Sequence, residues 1–447
     1  MKKCFLLFAF ICLVNYIVVA KQNRMVFAHY MVCFASYDNG TVDGYKKDIQ
    51  DAQRMGIDGF ALNCGSWDAN YKMHVVNLFK AAQELNSGFK LFFSVDRCCG
   101  ITNDQIEDMV ETYGDSPVYY KYNNRPFVSA WAAGTSFKVI IPALKQKGFN
   151  IYFVPFLYAL NFGKHAVEIP DYDLIVDNYN EYWKNYIDGY FYFGAVGLPI
   201  KDIRLSNIDV AESFAKVLHS NGLTYMSFVS PEYWGDRQYG ARRYYEYNGG
   251  EGIIAQWESI ISDQLPEWVE LTTWNDWTEG SYFSPIDNIE DYVVPLKQLH
   301  PEKGFYKSHK GYGELSKYYI QWYKTGSKPA IHKDEIFYFY RTQSKDAITN
   351  DPVGRVAGRA GDVEDVVYIT SFLTAPAQLI VKSGNVTQNF NLQKGINNTR
   401  VPFQPGKQYF KVLRNNKIVI NQQGQDIESS PASYNFNVYS GYAISEK

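Results

Sequence analysis

Between Arg24 and about Lys324, short apolar runs alternate with stretches whose apolar positions recur at helical spacing. The runs are MVFAHYMV from Met25, GIDGFALN from Gly56, FKLFFSVD ending at Asp96 and RPFVSAW ending at Trp131. Then come IYFVPFLY from Ile151, IDGYFYF from Ile187, LTYMSFVS from Leu223 and WVELTTW from Trp268, eight in all. Each is short, rich in β-branched and aromatic residues and nearly continuous in apolar character, as strands covered on both faces are. The intervening stretches carry helix stops: VDGYKKDIQDAQRM closes on Gly56 and NIDVAESFAKVLHSN on Gly222. Eight strands alternating with helices over about 300 residues predict an α/β fold of the (β/α)8 TIM-type barrel. An open doubly wound sheet is the competing arrangement. Against it, CFASYDNG follows the first run, where a Gly-rich phosphate loop would stand.

The texture changes near Pro329. From Glu335 the chain reads IFYFYR, VVYITSFL, AQLIVKS, VTQNFNL, QYFKVLR and KIVINQ between Gly, Asn and Pro turns, the spacing of a β-sandwich. Its expected role is a structural appendage packed on the barrel. At the other end, Lys2 and Lys3 precede an apolar run to Val19 that closes on Ala20, the order of a cleaved secretory signal. The expected organisation is a signal peptide over 1–20, a catalytic barrel over 21–329 and a β-sandwich over 330–447. The product is expected to be secreted, with no membrane attachment after cleavage.

Composition narrows the partners. A net charge of -3 gives no electrostatic case for nucleic acid. Aromatic residues make up 17% of the chain, an excess that suits stacking on sugar rings. Cleavage would leave Cys33, Cys64, Cys98 and Cys99; in an oxidising compartment these suggest two disulfides, with three pairings open. No metal or cofactor is expected, because His29 and Cys33 lie on a strand, where their side chains do not converge. Asn39, Asn385 and Asn397 head glycosylation sequons. A monomer is expected.

The chemistry concentrates in ELTTWNDWTEGSYFSP, from Glu270 to Pro285. Asp276 and Glu279 stand three residues apart at the exit of the last strand, where a barrel places its active site. Glycoside hydrolysis needs two carboxyl groups, one to protonate the leaving oxygen and one to activate water or attack the sugar. Capping of the following loop is the bland alternative for the pair. Trp274 and Trp277 can desolvate one carboxyl and raise its pKa. Asn275, directly before Asp276, is expected to hold that carboxylate ionised, making Asp276 the base and Glu279 the acid. Other strand ends carry His29, Asn63, Asp96, Trp131 and Tyr158, expected to meet the substrate with Trp274, Asn275, Trp277 and Tyr282. Glu270, inside the last strand, needs a partner, because an unpaired buried charge is costly.

The ordered set FAHYMV, GIDGFALN, KLFFSVD, YFVPFLY, YMSFVSPEYW and QWESIISDQLPEWVELTTWNDWTEGSYFSP, over residues 24–341, resembles glycoside hydrolase family 71, the α-1,3-glucanases or mutanases. The resemblance implies a (β/α)8 barrel with a C-terminal β-sandwich and inverting hydrolysis of α-1,3-glucan. It implies Asp276 and Glu279 as the acidic pair, sugar contacts at His29, Asn63 and Asp96, and a family histidine at His309. The chain departs from the family pattern at Cys33-Phe34 and at YFYFGAVGLP. WNDWTEG also resembles the endo-α-mannosidases of family 99, which carry Glu at the position of Asp276. Such a mannosidase, or a non-catalytic glycan-binding protein, are the alternatives.

Overall fold

The computed structural model describes residues 24–131, 136–156, 172–194, 208–235, 243–300, 304–351 and 363–446. All eight apolar runs contribute parallel strands to one curled sheet. They are β1 Met25–Met31, β2 Gly59–Cys64, β3 Lys90–Asp96, β4 Arg125–Trp131, β5 Tyr152–Phe153, β6 Gly189–Phe191, β7 Thr224–Val229 and β8 Trp268–Leu271. Their order across the sheet is β5-β4-β3-β2-β1-β8-β7-β6. Between its two ends, Asp188 N donates to Phe153 O at 2.9 Å and Phe191 N to Pro155 O at 3.0 Å. The expected signal segment lies outside the described residues.

Strand alternation sorts the sheet into layers. Phe27, Phe92, Phe127 and Trp268 interlock low in the strands, with ring centroids 4.8–5.0 Å apart. Two residues further along the same faces come His29, Ser94, Ser129 and Glu270. Asp96 and Trp131 follow at the strand ends, beside Asn63 on β2. The floor is therefore aromatic, and the polar groups collect toward the C-terminal rim.

Helices lie where the helical spacing put them. Val42–Met55 starts with Thr41 accepting from Gly44 N and stops at Gly56, whose φ of 95° a residue with a Cβ adopts only with strain. Asp209–Ser220 covers the second quoted pattern. Among the described residues no helix is long and apolar enough to cross a membrane. After β7 an antiparallel hairpin, Glu232–Gly235 with Arg243–Glu246, leaves the sheet.

The C-terminal part forms two four-stranded antiparallel sheets. The first joins β9 Glu335–Arg341, β10 Val366–Leu373, β13 Gly395–Pro402 and β16 Val438–Ile444. The second joins β11 Ala377–Ser383, β12 Val386–Leu392, β14 Gln408–Arg414 and β15 Lys417–Gln423. On β9, Ile336, Tyr338 and Tyr340 share a buried cluster with Leu379, Val381 and Phe410 of the second sheet. Phe337 and Phe339 point the other way and pack in the main core with Tyr312 and Leu315 of helix Lys310–Thr325. Both faces of the first sheet are thus covered, which explains why β9 reads as a continuous apolar run.

Candidate active site

β8 ends at Leu271, but its path continues. Thr272 N donates to Val229 O at 2.9 Å, and Trp274 N donates to His29 O at 2.7 Å. The chain then turns over the end of β1. The Asn275 side-chain amide donates to the carbonyls of Met31 at 3.1 Å and Phe34 at 2.5 Å, while its oxygen accepts from Met31 N at 2.7 Å. Asp276 N donates to Thr273 Oγ1 at 2.8 Å. The Asp276 Oδ1 accepts from Glu279 N at 3.2 Å and from the Thr278 hydroxyl at 3.1 Å. One tight turn therefore carries both acidic residues.

Asp276 is only 7% exposed. Burial pushes its carboxyl well above the ordinary aspartate value, and the charge of Glu279 adds to the rise. The Thr278 hydroxyl and the Glu279 N–H favour the anion but do not offset burial. Glu279 is half-buried and accepts from the Tyr233 hydroxyl at 3.3 Å, while its backbone carbonyl accepts from Trp234 N at 2.8 Å.

Beside the pair runs a chain of buried polar groups across four adjacent strands. His29 Nδ1–H donates to Glu270 Oε1 at 2.6 Å. Asn63 Nδ2 donates to His29 Nε2 at 3.1 Å and to Asp96 Oδ2 at 3.3 Å. Glu270 is fully buried and its carboxyl is raised by desolvation, against which His29 pulls. Glu270 is thus partnered, as its place inside a strand requires. His29 is 1% exposed and spends both ring nitrogens within the protein. Asn63 and Asp96 are 5% and 8% exposed at the rim. Trp131 is half-buried at the end of β4, its ring 6.3 Å from Phe193. Tyr158 lies outside the described residues.

Several sequence expectations are corrected. Trp274 is wholly buried, donates its indole N–H to Asp48 Oδ1 at 2.9 Å and packs on Phe60, so it offers no face to a sugar. The Asn275 amide is committed to β1 and not to Asp276, which removes the basis for expecting a depressed Asp276 pKa. Trp277 is buried against Tyr282 at 4.4 Å. Tyr282 donates to Lys307 O at 2.5 Å, accepts from Asn437 Nδ2 at 2.9 Å and stacks on His309 at 3.9 Å. Residue type marked these four, but the turn decides which way each points. Cys33 and Cys64 are free thiols; burial pushes the Cys33 thiol up to about 12, and the charge of Asp276 contributes. Tyr233 went unremarked in the sequence. Its signal is the SPEYW stretch, where Glu232 interrupts aromatic and apolar residues.

Two acidic groups that share a desolvated turn oppose each other's ionisation, and the Asp276 carboxyl shows the rise. Cleavage of an acetal by acid–base catalysis calls for a pair of carboxyl groups, and the chain is a glycoside hydrolase. It belongs to glycosyl hydrolase family 71, whose model matches residues 22–447. It is 31% identical to the glucan endo-1,3-alpha-glucosidase agn1 of Schizosaccharomyces pombe, covering 98% of both chains. It is 29% identical to a mutanase of Penicillium rubens, over 94% of this chain and 89% of that one. Among solved structures it is similar to the GH99 endo-alpha-mannosidase of Bacteroides thetaiotaomicron, with TM-score 0.49, 12% identity, and coverage of 67% of this chain and 97% of that one.

Proposed function

We propose that this protein hydrolyses α-1,3-glucan with inversion, using Asp276 and Glu279. The observation that carries the reading is the shared turn, in which Glu279 N donates to the carboxylate of the buried Asp276. Family membership and the names of the curated relatives support the substrate. In the proposed mechanism Glu279 protonates the glycosidic oxygen from the half-buried rim. Asp276 is the base that activates water; the Thr278 hydroxyl and the Glu279 N–H stabilise its anion against the burial that favours the protonated form. Asn63, Asp96 and Trp131 are the proposed sugar contacts.

The proposed architecture is a closed (β/α)8 barrel over 21–329 and a sandwich over 330–447. The bonds from Asp188 to Phe153 and from Phe191 to Pro155 support closure, and the cluster shared by the two C-terminal sheets supports the sandwich. The basic, apolar, small-residue order of residues 1–20 supports secretion as a monomeric enzyme acting outside the cell.

The test is incubation with purified α-1,3-glucan while product anomers are followed by NMR. The β-anomer should appear first; the α-anomer first would overturn inversion, and no new reducing ends would overturn the substrate. Asp276→Asn and Glu279→Gln should each lose about a hundredfold or more in kcat with the fold intact. On an activated aryl glycoside, Glu279→Gln should keep much of its rate and Asp276→Asn should not. The reverse pattern would exchange the two roles.

A further inference from the structure

The hairpin that follows β7 touches the catalytic turn on one side and the C-terminal sheets on the other. Toward the turn it offers the Tyr233 hydroxyl to Glu279 Oε1 at 3.3 Å and Trp234 N to Glu279 O at 2.8 Å. Toward the C-terminal part each of its strands is pinned by a buried charge. Glu232, 1% exposed, accepts from Val438 N at 2.7 Å and lies 3.1 Å from His309 Nε2. On the partner strand Glu246 pairs with Arg341 of β9, whose guanidinium also reaches Asp365 at 3.0 Å. Phe436 fills the space between, 5.5 Å from Trp234 and 4.7 Å from Tyr244. Asn437 closes the ring: its Oδ1 accepts from His309 Nε2 at 2.8 Å, and its Nδ2 donates to Tyr282, three residues beyond Glu279.

We propose that the C-terminal sheets are part of the catalytic apparatus, with Glu232 as a positioning residue that sets Glu279 through Tyr233 and Trp234. Burial alone would be met by apolar side chains, which pack the same volume without desolvating ions. Here two carboxylates are instead buried on the two strands of one short hairpin, and each is met by a group from beyond residue 340. Directional bonds of this kind fix a backbone more tightly than apolar contact does. A displacement of about 1 Å at a catalytic group costs on the order of a hundredfold in rate.

The inference concerns how Glu279 is held and rests on Glu279 being one of the two catalytic carboxylates. It is tested in the full chain with Glu232→Leu, Asn437→Leu and Glu232→Gln. Thermal unfolding and near-ultraviolet circular dichroism establish that each is folded. Kinetics are measured as ratios to the wild type on a soluble glycoside that the wild type cleaves, so a wrong substrate assignment leaves the ratios readable. Both Leu variants should lose about tenfold or more in kcat with KM within about twofold, and their pH–rate profiles should be displaced. Glu232→Gln should recover most of that loss, because its side-chain oxygen still accepts from Val438 N–H. Folded Leu variants with a lowered Tm but wild-type kcat and pH profile would overturn the proposal. Where a Leu variant does not fold, Tyr233→Phe carries the test by deleting one hydroxyl: the same kcat loss and profile displacement support positioning, and wild-type values overturn it.

Discussion

Two buried histidine–glutamate pairs flank the turn that carries Asp276 and Glu279. His29 and Glu270 come from neighbouring strands, β1 and β8, and meet as part of sheet register. His309 and Glu232 come from a helix start and a hairpin outside the parallel sheet, and meet through the packing of those segments, with Val438 of β16 completing the site. The rings also differ in their partners. His29 has the Glu270 carboxyl at Nδ1 and, at Nε2, an Asn63 nitrogen that also donates to Asp96. His309 has only oxygen partners: the Tyr282 carbonyl at 2.6 Å from Nδ1, with Asn437 and Glu232 at Nε2. The same two residue types link a carboxylate to a side-chain amide in one place and sit among backbone and side-chain oxygens in the other.

Replacement by glutamine separates the two. In His309→Gln, the Tyr282 carbonyl, Asn437 and the buried Glu232 all lose the ring between them, which should cost about 2–3 kcal/mol in chemical denaturation. His29→Gln keeps a donor and an acceptor near the same places and should cost about 1–2 kcal/mol. Equal losses in the two variants would dissolve the distinction.

A gentler change asks about charge alone. Burial pushes the Glu232 carboxyl up to about 7 despite the pull of His309. The folded protein therefore holds this proton more tightly than the unfolded chain does. The resulting stabilisation is complete below the unfolded value near 4.5 and is lost as pH rises through about 7. Glu232→Gln lacks that titration, so its Tm should fall less between pH 5 and pH 8 than the wild type's; parallel curves would remove Glu232 as the source. The smallest effect belongs to Arg400 and Glu251, a two-bond pair at 2.7–2.9 Å that also links the C-terminal part to the helix Gly250–Ser259, but at the surface. Arg400→Ala should cost about 0.2–1 kcal/mol, and less in high salt.

The contrast also explains what could be read from the sequence. The eight strands were legible because burial on both faces leaves a continuous apolar run, even where β5 keeps only two strand residues. Asn63, Asp96 and Trp131 were legible because a polar or amphipathic group at the end of an apolar strand is conspicuous. The need for a partner to Glu270 was legible for the same reason. Trp274, Asn275, Trp277 and Tyr282 were misjudged because the turn after β8 folds back on β1, and residue type says nothing about that direction. Glu232 carries the same warning as Glu270, a charge within apolar neighbours. Its partners, His309 and Val438, come from outside the parallel sheet, so no strand register points to them.

The position of Val438 also has a consequence in time. The parallel strands are synthesised first, and the residue that fixes Glu232 belongs to β16, the last strand described. A nascent chain can carry Asp276 and Glu279 in full and still lack the clamp behind them. On this reading hydrolytic competence arrives late, as a proofreading of length: truncated products would bear the acidic pair yet remain poor enzymes.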